Sequence, residues 1–384
     1  MSQPTIPQLT ARHATLADLV EVLRGQHAAK LDVVTAAANL HAADGRVLVA
    51  GAAHELTLDG VTRTDARLLP TTAADNQIAK KLDIPPPYLR RVRENHLGLY
   101  DANVNGWLAH DPQRRFLVPG LAAGEGESGV MRALLSDQFR IVDNLDVLMS
   151  ALDGIRQAGA QVDITSADLT ETRMYVKVRS SEIAEYAPDL LANYTSPFSG
   201  ARGADNPLVW AGFVISNSET GNGSFKISPQ LTVEICNNGM TLTEHVLKEV
   251  HLGGRLPEGQ IRWSEDTARV ALDLVIKQAR DAVATFLDRE FVKARIAEIT
   301  AAAGVEVTTP TETLEHVAKA LRFTGEQQDT IFNHFISGGD RTAGGVLHAV
   351  TSAAQLITNA DAAYEMEAQG LRAMSLAAAH ANRG

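Results

Sequence analysis

Arg173, Tyr175, Lys177 and Arg179 sit at alternate positions, and no other part of this sequence is better equipped for chemistry. In an extended chain, residues two apart share a face. Met174, Val176 and Val178 then fall on the opposite face and anchor the strand to a core. Three cations and a phenol ring on one face offer charge for phosphates and a platform for a stacked base. The same pattern also suits a solvent-facing strand whose cations pair with carboxylates across a sheet. A second strand alternates without a break over residues 224–235. Phe225, Ile227, Pro229, Leu231, Val233 and Ile235 form its apolar face, and its polar face carries Ser224, Lys226, Ser228, Gln230, Thr232 and Glu234. That pattern predicts one face on a core and one polar face presented, with Lys226 beside the basic strand in a groove for an extended partner.

The third basic stretch is helical. Residues 72–82 have helical spacing, with Ile78, Ala79 and Leu82 on one side. The run Asp83-Ile84-Pro85-Pro86-Pro87 breaks the helix, because proline cannot continue it. Residues 88–96 form the next helix. Lys80, Lys81, Arg90, Arg91 and Arg93 make this the most basic local region. It reads either as a helix-turn-helix whose second helix contacts DNA or as a helical hairpin with solvated cations.

Signatures of catalysis are absent. The chain has no P-loop, no H-E-x-x-H, no G-x-S-x-G, and no G-x-G-x-x-G between a strand and a helix. His245 and His251 are six apart and so point to different faces of a helix, and the twelve histidines form no ligand cluster. Cys236 reads as a small buried hydrophobe. Asp137, Asp143, Asp146, Asp163, Asp168 and Glu171 crowd the middle of the chain. A two-metal nuclease would need several of them to converge, whereas solvated loops need nothing of the kind. The reading is therefore non-enzymatic, with no catalytic residue, metal or cofactor assigned.

The elements that must position these residues follow from the rest of the sequence. The chain has 384 residues, 45% of them hydrophobic and 21% charged, which is long for one core and too apolar for general disorder. The expected regions are a mixed one at 1–119 containing the helical hairpin, a β-rich one at 130–262 and a helical one at 263–384. The glycine-rich stretch 120–129 marks the first boundary. Residues 46–50 and 54–58 read as short strands joined by a hairpin at Ala50-Gly51-Ala52, and 15–23 as a helix. Asp143-Asn144 caps a helix ending at Gly159, and Asn237-Asn238-Gly239 supplies a turn. Ser264 starts a long helix with Leu272, Val275, Ala279, Ala282 and Phe286 in one stripe, and further helices run to about residue 379. The fold class is α+β: a mostly antiparallel sheet with a long hairpin, helices on one face, and a helical C-terminal region. The net charge of −11 argues against a protein whose whole surface grips nucleic acid, and leaves room only for a local basic strip. One cysteine, no signal-peptide pattern and no bilayer-length apolar run point to the cytoplasm, with no membrane partner.

Several segments resemble a family of phage- and plasmid-borne proteins of unassigned function. The matching pieces are NVNGWL at 103–108, MRALLSDQFRIVDNLDVL at 131–148, RMYVKV at 173–178, VWAGFVISNSETGNGSFKISPQL at 209–231, ICNNGM at 235–240, HLGG at 251–254 and HAVTSAAQ at 348–355. The resemblance covers about residues 70 to 370 and implies a mobile-element context, but it brings no catalytic residues. Together with the basic strand it leads to a DNA-transaction protein that binds or anneals single strands in recombination. The competing reading is an oligomeric interaction protein that binds a host or phage protein by its acidic surface. Both expect a homo-oligomer. If the strand at 173–179 meets phosphates, changing Lys177 and Arg179 to alanine weakens single-strand binding and flattens its salt dependence, with an unchanged melt. Loss of both affinity and melting temperature marks the cations as structural partners instead.

Overall fold

The computed structural model describes residues 7–57, 60–123, 128–139, 141–243, 247–249, 273, 277, 280–281 and 283–382. The chain is an α+β protein built on two sheets. It opens with β1 (Ala11–Ala14) and α1 (Leu16–Ala28), and then β2 (Lys30–Ala36), β3 (Leu40–Ala43), β4 (Arg46–Thr57) and β5 (Gly60–Pro70). Three helices follow: α2 (Thr72–Lys81), α3 (Pro86–Asn95) and α4 (Leu97–His110). Next come β6 (Arg115–Leu121), β7 (Gly129–Met131), β8 (Leu135–Ser136) and α5 (Asn144–Gln157). The second half has β9 (Val162–Leu169), β10 (Met174–Tyr186), α6 (Pro188–Leu191), β11 (Leu208–Asn217), β12 (Phe225–Val233), β13 (Gly239–Thr241) and β14 (Leu247–Glu249). It closes with α7 (Arg289–Ala303), α8 (Pro310–Leu321), α9 (Gly325–Gly338), α10 (Ala343–Ala354), α11 (Ala360–Glu367) and α12 (Gly370–Ala381).

The first sheet has the order β2-β6-β7-β5-β4-β3, with β8 also beside β6; only β5 and β7 run parallel. Tyr100, Leu89, Ile78 and Phe116 bury α2, α3 and α4 against it. The hairpin expected at Ala50-Gly51-Ala52 is instead a bulge inside β4. Gly51 takes φ +64°, and the register with β5 shifts between Val49 and Ala53. A glycine tolerates that left-handed conformation without steric cost, so the strand bends and continues rather than reversing.

The second sheet is antiparallel, in the order β1-β9-β10-β11-β12-β13, with β14 beside β12. β1 therefore belongs to this sheet and α1 packs on it, although both precede the first sheet in sequence. Thr15 starts α1 with a reciprocal capping box to Asp18. Met174, Val176, Val178, Phe213, Ile215 and Ile227 face α1, α5 and the helical residues Val283 and Phe286. Towards the other end, Val209, Leu231, Val233 and Met240 join the core of the C-terminal helices.

The polar face of the alternating strand is not presented. Ser228 and Gln230 are 2% and 3% exposed, because α11 lies over that face. Period two correctly gave two distinct faces, but the second buries polar groups against a helix rather than in water. The alanine-rich C-terminal end also stays inside the chain: every residue of α10 is buried. The expected helix at Ser264, and Leu272, Val275, Ala279 and Ala282 of its stripe, lie outside the described residues, as do His245 and His251.

The turn between β11 and β12 is wedged between the sheets. Ser218 and Thr220 are fully buried, and the Glu219 carboxylate accepts from the Asn144 backbone N–H and pairs with Arg132 of the first sheet at 2.5 Å. Gln77 of α2 donates to the Thr220 carbonyl and accepts from the Leu134 N–H. Asp143 sits at the N-cap position of α5, but its carboxylate bonds Lys30 instead of the helix amides.

His348, in the middle of α10, is fully buried and stacks on Tyr194 at 4.2 Å, with neither ring nitrogen in a well-formed hydrogen bond. Burial pushes its pKa down to about 4, against a smaller raising pull from the Leu190 backbone. The neutral ring is the form the fold accepts. Its contribution to stability is complete above the ordinary histidine value of 6.5 and is lost as the pH falls towards about 4. Thermal melts across that window should fall more steeply for the natural protein than for His348→Phe, which keeps the stack and cannot titrate.

Candidate nucleic-acid interface

The four residues of the basic strand are held together, but they face protein. Tyr175 is 1% exposed, its hydroxyl donates to Asp361 Oδ1 at 2.9 Å, and its ring lies 4.5 Å from that of Tyr364. Burial, then the Asp361 charge, pushes its phenol pKa far above the ordinary value. Arg173 donates to the Asn222 carbonyl and pairs with Glu365 at 3.0 Å. Lys177 pairs with the buried Glu367 at 2.5 Å, and the other oxygen of that carboxylate takes the Gln230 amide. Arg179 pairs with Glu234 at 3.2 Å and lies over the Trp210 ring, whose N–H donates to the same Glu234 oxygen. Lys226 is half-buried and engaged within the molecule. The expectation that this face meets solvent is corrected: Asp361, Glu365 and Glu367, all on α11, take the places that phosphates would fill.

The helical cations lie differently. Lys80, Arg90 and Arg91 are exposed, and Lys81 is half-buried. Lys80 and Lys81, in the last turn of α2, line a cleft of about 390 Å³. Its other walls are Leu135, Gln138, Phe139 and the Gly221-Asn222 turn. Gly221 is needed here, since it takes φ +70° and a Cβ would lie 2.8 Å from Leu135. Arg90 donates to Asn76, one turn before Lys80 on α2, so it borders the same helix. Arg93 turns inward to Asp75 at 2.9 Å and over the Tyr100 ring. The loop between α2 and α3 places Asp83 at φ +55°, and Pro86 and Pro87 open α3, where a missing N–H costs nothing.

Two aromatic residues on the neighbouring helices are also exposed. Tyr88 is 40% and Trp107 is 45% exposed. Leu99, Asn103 and Trp107 recur every four residues on α4, and Asn103 donates to the Tyr88 hydroxyl, which ties α3 to α4. The available signal was the scarcity of aromatics: a Tyr one turn before Arg91 and a Trp on the next helix stand out in a chain that is 5% aromatic.

The central carboxylates are spent separately. Asp168 pairs with Arg12 at 2.8 Å, Asp143 with Lys30, and Glu171 accepts from the Ala73 N–H at the start of α2. Among the described residues no group of three or more His, Cys, Asp or Glu is placed to hold a metal ion. Cys236 is buried, and burial pushes its thiol pKa up to about 11. No described helix is long and apolar enough to cross a membrane. No family model matches the chain, and no curated protein or solved structure matches it.

The two kinds of cation predict different mutational costs. Removing Glu367 leaves Lys177 and Gln230 half-buried to buried without their shared acceptor. Glu367→Ala should cost about 3 kcal/mol, the usual penalty for breaking one side of a buried pair. Glu365 is 60% exposed in its pair with Arg173, and Glu365→Ala should cost less than about 1 kcal/mol. Chemical denaturation of the two variants checks the contrast.

Proposed function

We propose that this protein binds single-stranded nucleic acid across α2, α3 and α4, without catalysing a reaction. The observation that carries the reading is the cleft holding Lys80 and Lys81 opposite Phe139, followed on the same side by Arg90 on α3. Cations track the phosphates of a flexible strand, and exposed rings accept unstacked bases. Tyr88 and Trp107 supply the rings in place of the buried Tyr175. The overall charge of −11 confines binding to this strip and makes it sensitive to salt. A setting in phage or plasmid DNA transactions, with strand annealing in recombination, rests on the resemblance in sequence and is proposed with it. So is a cytoplasmic location. Assembly of several copies is part of the same proposal. It needs a surface other than α10, Val283 and Phe286, which the single chain buries.

A protein partner is the second reading, favoured by Leu97, Leu99 and Trp107, each 45% exposed around α4. The two are separated by measuring single-strand affinity at several salt concentrations. Lys80→Ala with Arg90→Ala should weaken binding and reduce the salt slope by about 0.7 for each phosphate that is no longer neutralised. Trp107→Ala should cost about 1–3 kcal/mol if a base stacks there. These side chains are exposed, so melting should stay unchanged. No affinity in the natural protein, or an affinity that all three substitutions leave intact, defeats the nucleic-acid reading.

A further inference from the structure

A pocket of about 450 Å³ opens between α7 and α12, away from the cationic helices. Its walls carry Leu242, Ile299, Ala302, Leu371 and Met374, of which Leu242, Ile299 and Met374 are buried core side chains. Its rim is polar: Arg295, Glu298, Arg372, Thr243 and Ser375. Such a volume, with buried apolar side chains and more exposed polar groups among its lining, falls within the range of small-molecule sites.

The rim charges do not cancel. Arg295 is committed to Glu298 at 2.5 Å and lies against the Phe291 ring. Arg372 is exposed at the mouth and enters no ion pair with a described residue. Among the described residues, the mouth therefore carries one guanidinium outside any ion pair beside an apolar interior. A guanidinium matches a carboxylate in shape and charge, and can hold it by two parallel N–H bonds. Apolar walls reward removal of a hydrocarbon tail from water. A dianion or a sugar would satisfy only the rim and leave those walls wet.

From this arrangement we propose that the α7–α12 pocket binds a small amphipathic monocarboxylate, with the tail against Ile299 and Met374 and the head on Arg372. The site is independent of the nucleic-acid strip, so either proposal can fail alone. Its occupancy ties α12 to α7, and α12 also packs on α8 and α10 in the same core. Binding to the folded state alone would raise the melting temperature as the ligand is added.

The test is calorimetric titration with decanoate and with decanol, which share a tail and differ in the charged head. The natural protein should take up decanoate saturably and about ten-fold more tightly than decanol. Arg372→Gln should bring decanoate down to the decanol value and leave decanol unchanged. Ser375→Trp, on an exposed rim position, should weaken both by narrowing the mouth. Thermal melts of the unliganded variants should match the natural protein, so lost binding is not lost folding. Equal affinity for the two probes, unchanged decanoate binding in Arg372→Gln, or no saturable binding overturns the proposal.

Discussion

The Glu367 carboxylate, held between Lys177 and Gln230, is the contact on which the arrangement of this protein turns. A sheet that buried only its apolar face would leave β10 and β12 showing cations, amides and hydroxyls to water. Here α11 brings Asp361, Tyr364, Glu365 and Glu367 onto that face, and the polar groups satisfy one another. Burying such groups is costly unless every one finds a partner, so geometry is enforced closely across this layer. The helical C-terminal region is thereby fixed to the sheet by polar pairing at α11 and by apolar packing at α7, α10 and α12.

The same logic joins the two sheets. Their shared boundary holds a buried turn with its carboxylate and amide partners. Glu219 answers both the Arg132 guanidinium and the Asn144 backbone, while Gln77 bridges the turn to the strand segment at Leu134. Lys30 lies between Asp32 and Asp143. Burial raises the Asp32 pKa against the lowering pull of Lys30, so part of the charge network is held at a cost that only the assembled fold repays. The segments around SETGNG and DNLD thus serve as joints between layers.

An acidic protein that handles a polyanion needs its cations placed where its own carboxylates cannot reach them. The cations of β10 fail that condition, because acids of α11 and of the β12 end lie within bonding distance. Lys80, Arg90 and Arg91 come closer to it: they are exposed and enter no ion pair with a described residue, and Tyr88 is exposed one turn before Arg91 on α3. Screening at physiological salt limits exposed charges to about 8 Å, so the local strip is not overruled by the distant net charge.

The sequence by itself determined the period-two strands, the helices over residues 15–23 and 72–82, the breaker at residues 83–87 and the α+β class. These features depend on neighbours within a few residues, where propensity and hydrogen-bond capacity act directly. Gly51 showed the limit: a glycine permits a hairpin or a bulge, and the pairing of β4 with β5 chose the bulge. The fate of the polar strand face was beyond local reading. Lys177 and Glu367 are 190 residues apart, and nothing in RMYVKV says that an acidic helix will cover it. Tyr175, which its local pattern presents to water, is buried, while Trp107, for which no local pattern spoke, is exposed, because packing of whole layers decides which aromatic faces water. Tertiary structure alone made that decision, since a strand fixes only which side chains share a face, and the rest of the chain fixes what that face meets.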